Sequence, residues 1–184
     1  AQSCEAPNVM ILFDVSGSMK VNNKYTTAIN GIDSALSSLE SRANFGLGLF
    51  PAPSQGYCFL QTDTNGSMIP DVPMALNNRW AIHDVLFPDG SNYCGGPQST
   101  FDTAIFQALE SGGAIPGLYT AQRAGYLILV TDGVQDCHNY GDYDNEDDRG
   151  AAEIAENRDD IELIARNLAL NGIQTFAVGF GANA

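Results

Sequence analysis

The chain has 184 residues, of which 44% are hydrophobic and 16% charged, so apolar burial can offset chain entropy and wholesale disorder is excluded. Its length suits one domain with a full core and is short for two. The 8 Lys and Arg residues stand against 22 Asp and Glu residues, which gives a formal net charge of −14. A chain this acidic repels a phosphate backbone, and we therefore expect no nucleic acid partner.

Hydropathy and cysteine content bear on where the protein works. No apolar run approaches the roughly 20 residues that a membrane-spanning helix needs, so no membrane span is expected. The 4 cysteines lie far apart, without the spacing of a zinc site or a redox pair. Their surroundings are rich in Asn, Gly and Tyr and poor in Lys. This favours an oxidising compartment and at least one disulfide over four buried free thiols.

The first half of the chain begins with a strand and a helix. Residues 8–13 form a continuous apolar run that is too short for a helix, which predicts a buried central strand. Apolar residues at three- and four-residue spacing over 25–39 predict a helix. Residues 45–50 predict the next strand, which prolines end. Residues 57–60 are a candidate for a short return strand at the sheet edge.

The middle of the chain carries the weakest pattern. Residues 62–100 contain four prolines and one helical patch, at about 75–86, so we expect an irregular excursion there. A helical pattern begins at Thr103 and stops at Gly112 and Gly113.

The last third repeats the strand and helix pattern. Residues 125–130 have the apolar signature of the first strand, and residues 173–180 predict a further buried strand. Between them a helix is expected over 159–171, with Asp160 and Glu162 in its first turn. This alternation predicts an α/β fold: a three-layer, open, mostly parallel sheet with helices on both faces and one antiparallel edge strand.

Oxygen-bearing side chains follow two of the predicted strands. Asp14, Ser16 and Ser18 stand on alternate residues after the first strand, so one turn can aim all three side chains the same way. Asp132 follows the second strand with that signature, and Thr103 stands at the start of the intervening helix. Ligands of parallel sheets bind at the carboxyl ends of the strands. Hydroxyl and carboxylate oxygens, without imidazole or thiolate, suit Mg²⁺, Mn²⁺ or Ca²⁺.

These residues resemble the von Willebrand factor A (VWA) family and its metal-ion-dependent adhesion site (MIDAS), as found in bacterial secreted or cell-surface members. Residues 14–19, D-V-S-G-S-M, match the family's Asp-x-Ser-x-Ser motif, and residues 130–133 match its Thr-Asp-Gly strand end. Thr103 fits the family's helix-start threonine, with an Ala-Leu pair at the family's spacing after it. Ser99 and Thr100 compete with it for that role.

The resemblance implies a single VWA domain over 1–184 that works as a divalent-metal-dependent ligand-binding, or adhesion, module of a secreted or cell-surface protein. The metal, Mg²⁺ before Mn²⁺ or Ca²⁺, would accept a carboxylate or other oxygen from a protein or glycan partner. Serine and threonine hydroxyls would touch it, and the aspartates would bind it directly or through water. The five implied ligands are Asp14, Ser16, Ser18, Thr103 and Asp132.

Two further classes of function are set against adhesion. One is a structural subunit or cap of an extracellular assembly, in which the metal only stabilises the fold. Family members usually continue after the strand equivalent to 173–180 with another strand and a helix. Either this chain is a fragment, or another chain covers its exposed strand edge. An enzyme is not expected, because Ser16 stands where a phosphohydrolase needs a second carboxylate and Lys20 is the only nearby base.

Loops beside the predicted metal edge carry two more features. The acidic segment 142–148 is a second candidate for a cation, but it lacks the glycine and the distant glutamate of an EF-hand, which favours a solvated loop. Three cysteine pairings are open. Because Cys94 and Cys137 lie in loops that should approach this edge, their bridge is favoured, which would leave Cys4 for Cys58.

Overall fold

The computed structural model describes residues 5–52, 60–87, 103–133 and 151–180, with the backbone alone for 151–158. Within these ranges five strands form one sheet and four α-helices accompany it. The strands are β1 (Asn8–Asp14), β2 (Asn44–Phe50), β3 (Val72–Ala75), β4 (Gly125–Thr131) and β5 (Ile173–Gly179). The helices are α1 (Lys24–Leu39), α2 (Arg79–Leu86), α3 (Ile105–Gly113) and α4 (Ala151–Leu170).

The sheet has the strand order β3-β2-β1-β4-β5. β1 pairs in parallel with both β2 and β4, β5 pairs in parallel with β4, and β3 runs antiparallel to β2. The expected α/β fold, mostly parallel with one antiparallel edge strand, is confirmed. In the register of the central pair Phe13 lies opposite Val130, so Asp14 and Thr131 end neighbouring strands side by side.

β1 is the central strand, paired along both edges and covered on both faces. All seven of its residues are buried, and successive side chains enter two different cores. Val9, Ile11 and Phe13 pack in a core with residues of α1 and α2, whereas Met10 and Leu12 pack with residues of α3 and α4. A strand buried on both sides needs an unbroken apolar run, which explains the lack of alternation in the sequence. Each such side chain contributes about 1.5–3 kcal/mol on burial.

The edge next to β2 differs from the prediction. The antiparallel edge strand is β3, at Val72–Ala75, and not the segment 57–60, of which 57–59 lie outside the described residues and Leu60 belongs to no strand. The helix expected at about 75–86 begins only at Arg79. The prolines near β3 prevented its prediction as a strand from the sequence. An edge strand nevertheless tolerates proline, because its outward N–H groups have no ladder partner.

The last helix and strand also differ from the prediction. α4 begins at Ala151 and not at 159, so Asp160 and Glu162 lie in its middle. The Ala- and Glu-rich residues 151–156 have high helix propensity and extend it. β5 was expected to be buried, yet Phe176 is 53% exposed and Val178 43%. It is an edge strand that pairs only with β4 among the described residues, so its apolar composition does not secure burial.

Several expectations fall on residues outside the described ranges and stay predictions. The positions concerned are Cys4, Cys58, Cys94, Cys137, Ser99, Thr100 and the acidic segment 142–148.

Among the described residues no helix is long and apolar enough to cross a membrane.

Candidate metal site

The end of β1 delivers the first oxygen-bearing side chains. β1 ends at Asp14, and the N–H of Val15 still donates to the carbonyl of Phe50 on β2, at 2.7 Å. Ser16 keeps an extended backbone, with φ −62° and ψ 166°, and a 3₁₀ segment follows at Gly17–Asn23. This sharp change from strand to 3₁₀ turn keeps the serine hydroxyls at the carboxyl edge of the sheet.

Three hydroxyls and one carboxylate form a continuous chain at this edge. Thr103 Oγ1 donates to Ser16 Oγ at 3.3 Å, and the Ser16 and Ser18 Oγ atoms are 3.1 Å apart. Ser18 Oγ donates to Asp132 Oδ1 at 2.7 Å. The structure therefore brings these four residues together from three parts of the chain. Thr103 precedes α3 by two residues and does not lie in its first turn.

Asp14 supports this chain from a buried position. Asp14 is 0% exposed. Its Oδ1 accepts a hydrogen bond from the N–H of Ser16 at 2.7 Å, and its Oδ2 accepts one from Thr131 Oγ1 at 2.5 Å. Burial raises the pKa of Asp14 to about 6; its hydrogen bonds partly oppose the rise, and the nearby charge of Asp132 adds to it. The contact with Thr131 follows from the parallel register and was not predicted from the sequence.

Asp132 has a cationic partner that the sequence did not reveal. Its side chain is fully buried, and its Oδ2 accepts a hydrogen bond from the ammonium of Lys24, whose side chain is 21% exposed. Lys24 is the first residue of α1, and Asn22 and Asn23 before it have left-handed φ angles of 56° and 58°. The expectation that Lys20 is the only nearby base is therefore wrong, because this turn brings Lys24 back to the site.

The donor set fits a hard divalent cation. It consists of hydroxyl and carboxylate oxygens, which are the ligands that such a cation prefers. It holds only two carboxylates, and the described residues contain no group of three or more His, Cys, Asp or Glu that could hold a metal. Gly133 leaves room beside the set, since a Cβ atom there would lie 3.2 Å from Thr103 Oγ1. Ser16 and Thr103 are 1% exposed whereas Ser18 is exposed, so the cluster meets solvent on the Ser18 side.

Comparison with known proteins rests on structure alone. No protein-family model matches the chain, and no curated protein matches it in sequence. The chain is similar to the open conformation of the pilus adhesin SpaC from Lactobacillus rhamnosus GG, with a TM-score of 0.60 and 18% identity over 96% of this chain and 24% of that chain. It is also similar to proximal thread matrix protein 1 of the mussel byssus with a zinc-occupied MIDAS motif, with a TM-score of 0.54 and 19% identity over 98% of this chain and 40% of that one.

A third similar structure is the human COPII-coat protein Sec24c, with a TM-score of 0.55 and 15% identity over 98% of this chain and 27% of that chain. The chain thus spans from 24% to 40% of the lengths of these three proteins. At such identities the similarity shows the fold alone. The chain therefore shares the fold of these proteins.

Proposed function

We propose that the chain is a VWA domain whose metal-ion-dependent adhesion site binds a ligand through a divalent cation. The observation that carries this proposal is the convergence of Ser16, Ser18, Thr103 and Asp132 on one edge of the sheet. Bare turns and helix caps need no such convergence from three separate parts of the chain.

The proposed ligands divide by their present partners. Ser16, Ser18 and Thr103 would touch the cation with neutral hydroxyls, and Asp132 would supply the nearest charge. Both oxygens of Asp14 already accept hydrogen bonds, which favours contact through water over direct contact. Mg²⁺ is the preferred ion, with Mn²⁺ and Ca²⁺ as alternatives. When bound, the cation supplies a Lewis-acidic centre for a carboxylate or other oxygen of a protein or glycan partner.

The exposure of the cluster favours adhesion over a purely structural metal. Ser18 is exposed while its neighbours are buried, so a partner oxygen can approach from that side. The pilus adhesin and the byssal matrix protein, both similar in fold, support a secreted or cell-surface location. We place the protein there as part of the proposal.

A thermal melt tests the metal site. Binding to the folded state alone stabilises it by about 2.7 kcal/mol at one hundred times Kd, or several degrees for a chain of this size. We expect Mg²⁺ or Mn²⁺ to raise the Tm over EDTA, and the double change Ser16→Ala with Ser18→Ala to abolish the rise. The control is Ser38→Ala with Ser41→Ala. Ser38 lies about 20 Å along α1 from Lys24, Ser41 follows the end of that helix, and both are exposed. If the double mutant responds like the parent, the site is elsewhere.

A second candidate function is a subunit of an extracellular assembly. Its support is the exposed edge strand β5, whose Phe176 borders an apolar cleft of about 290 Å³ with Phe45 and Tyr126. Water proton relaxation of the Mn²⁺-loaded protein separates the two functions. An adhesion site keeps exchangeable water on the metal, and added acetate should reduce the relaxation enhancement. A sealed site shows neither effect, and that result favours assembly.

A further inference from the structure

Lys24 places a positive charge at the candidate metal site. Its ammonium donates to Oδ2 of Asp132, while the other carboxylate oxygen accepts from Ser18, one of the proposed metal ligands. The Asp132 side chain is fully buried whereas Lys24 retains 21% exposure. The carboxylate is therefore fixed in place, but the ammonium has a path into solvent at the end of a flexible stem.

We propose that Lys24 is a tethered competitor of the divalent cation: it holds the Asp132 carboxylate in the metal-free protein and leaves it when the metal binds. This inference rests on the proposed metal site and adds a regulation to it. Among the described residues, Lys24 forms a hydrogen bond or ion pair with Asp132 and with no other proposed ligand, so it acts through that one carboxylate.

The charges of the cluster favour exchange over coexistence. With Asp14 and Asp132 ionised and Lys24 in place, the cluster carries one net negative charge. A divalent cation added beside the ammonium would turn this into one net positive charge, with two cations on the same buried carboxylate. Release of Lys24 into solvent leaves the loaded cluster neutral. Because charges interact strongly where water is excluded, the neutral arrangement is favoured.

Competition has two linked consequences. The ammonium stabilises the metal-free fold, since it removes repulsion that the two aspartates would otherwise feel. By the same interaction it weakens metal binding, because the cation must first displace it, and this coupling is reciprocal. A protein with Lys24 therefore folds without metal and binds it only where the cation is abundant.

The chain offers a matched pair of variants for the test. Its two lysines are Lys20 and Lys24, and Lys20 is exposed with no ion pair among the described residues. Lys24→Met and Lys20→Met change the net charge equally, so long-range effects cancel. We expect Lys24→Met to bind Mn²⁺ about tenfold more tightly in calorimetry, equivalent to about 1.4 kcal/mol, and to melt lower than the parent in EDTA. Lys20→Met should change the affinity less than twofold.

Chemical labelling of the parent protein follows the ammonium directly. Acetylation by an N-hydroxysuccinimide ester, resolved by peptide mass spectrometry, gives the rates at both lysines in one sample. We expect saturating Mn²⁺ to accelerate labelling of Lys24 several-fold relative to Lys20. Asp132→Asn should produce the same acceleration without metal, because it removes the partner of the ammonium.

The results of these experiments distinguish a failure of the competition from a failure of the proposed metal site. If neither the parent nor Lys24→Met binds Mn²⁺, the metal site fails and the competition with it. If the parent binds Mn²⁺ but Lys24→Met binds it equally or more weakly, the metal site stands and the competition is overturned; Lys24 then positions Asp132. Unchanged labelling of Lys24 in a protein that binds Mn²⁺ overturns the competition too.

Discussion

Two aspartates end neighbouring strands of the same sheet, and the protein treats them differently. Asp14 is fully buried and receives only neutral donors, the N–H of Ser16 and the hydroxyl of Thr131, and burial raises its pKa to about 6. The side chain of Asp132 is equally buried, yet it receives a hydroxyl and the ammonium of Lys24.

The contrast shows that a strand end fixes where a carboxylate lies but not what its charge costs. Neutral hydrogen bonds return only part of the hydration that a buried carboxylate loses, so an ionised Asp14 opposes folding. A cation beside Asp132 offsets the same loss. In the metal-free protein an ionised carboxylate therefore costs more stability at Asp14 than at Asp132, and a nearby divalent ion should reduce that cost most at Asp14.

The largest expected effect is an opposite response of the two aspartates to the same substitution. In EDTA at pH 7.5, Asp14→Asn should raise the free energy of unfolding by about 1–3 kcal/mol, because it removes a buried charge. Asp132→Asn should lower it by about 1–3 kcal/mol, because Lys24 loses a charge-assisted hydrogen bond. Urea denaturation measures both.

Asp33→Asn serves as the control for this pair. Asp33 forms a bidentate ion pair with Arg79 at the protein surface, where such pairs contribute little to stability. A change of the same sign in Asp14→Asn and Asp132→Asn would show that the ammonium does not distinguish the two positions.

The pH dependence of stability should sharpen the comparison further. The folded-state pKa of Asp14, about 6, lies above the ordinary value of 3.8. The stability that protonated Asp14 contributes to the fold is thus fully present below about pH 4 and is lost as the pH rises through about 6. From the pKa difference the loss is on the order of 2–3 kcal/mol.

Urea denaturation of metal-free parent and Asp14→Asn between pH 4 and 7.5 isolates this contribution as the difference between the two curves. The parent should gain stability relative to the variant as the pH falls. With saturating Mg²⁺ the slope should reverse, because a cation near Asp14 favours its ionised carboxylate. Parallel curves for parent and variant in the metal-free protein would refute the raised pKa.

Some contacts of the site could be predicted from the sequence, and others depend on turns that the sequence does not reveal. Two unbroken apolar runs predicted the strands that end at Asp14 and just before Asp132, and the structure pairs these strands in parallel. The approach of Lys24 depends on two consecutive left-handed asparagines at 22 and 23. Asparagine adopts that conformation more readily than most residues, but an Asn-Asn pair alone does not say that the chain turns there.

Prediction of the fold was limited in a similar way, because the composition of a strand does not determine its position in the sheet. The apolar residues of β5 led to the prediction of a buried strand. Burial depends on neighbours, however, and the strand order that puts β5 at the edge cannot be read from its own residues. The prolines around β3 indicated an irregular segment, although they are compatible with an edge strand. The exposure of β5 and the strand conformation of β3 both depend on position within the sheet and not on the local sequence pattern.

The smallest expected effect concerns the space beside the hydroxyls. A Cβ atom at Gly133 would lie 3.2 Å from Thr103 Oγ1 and 3.9 Å from Ser18 Oγ, so Gly133→Ala must push Thr103 by a few tenths of an ångström. Asp14 and Asp132 keep their partners, and the fold should lose less than about 1 kcal/mol.

Metal ligands tolerate such shifts poorly, so Gly133→Ala should weaken Mn²⁺ binding several-fold in calorimetry. Gly31→Ala is the control, because its Cβ atom would meet nothing within 4 Å on α1 and the affinity should not change. The paired measurement separates two positions of Thr103. If its hydroxyl touches the cation, the crowded variant binds more weakly than the control. Equal affinities would mean that Thr103 lies outside the coordination sphere and that Ser16, Ser18 and the two aspartates hold the metal without it.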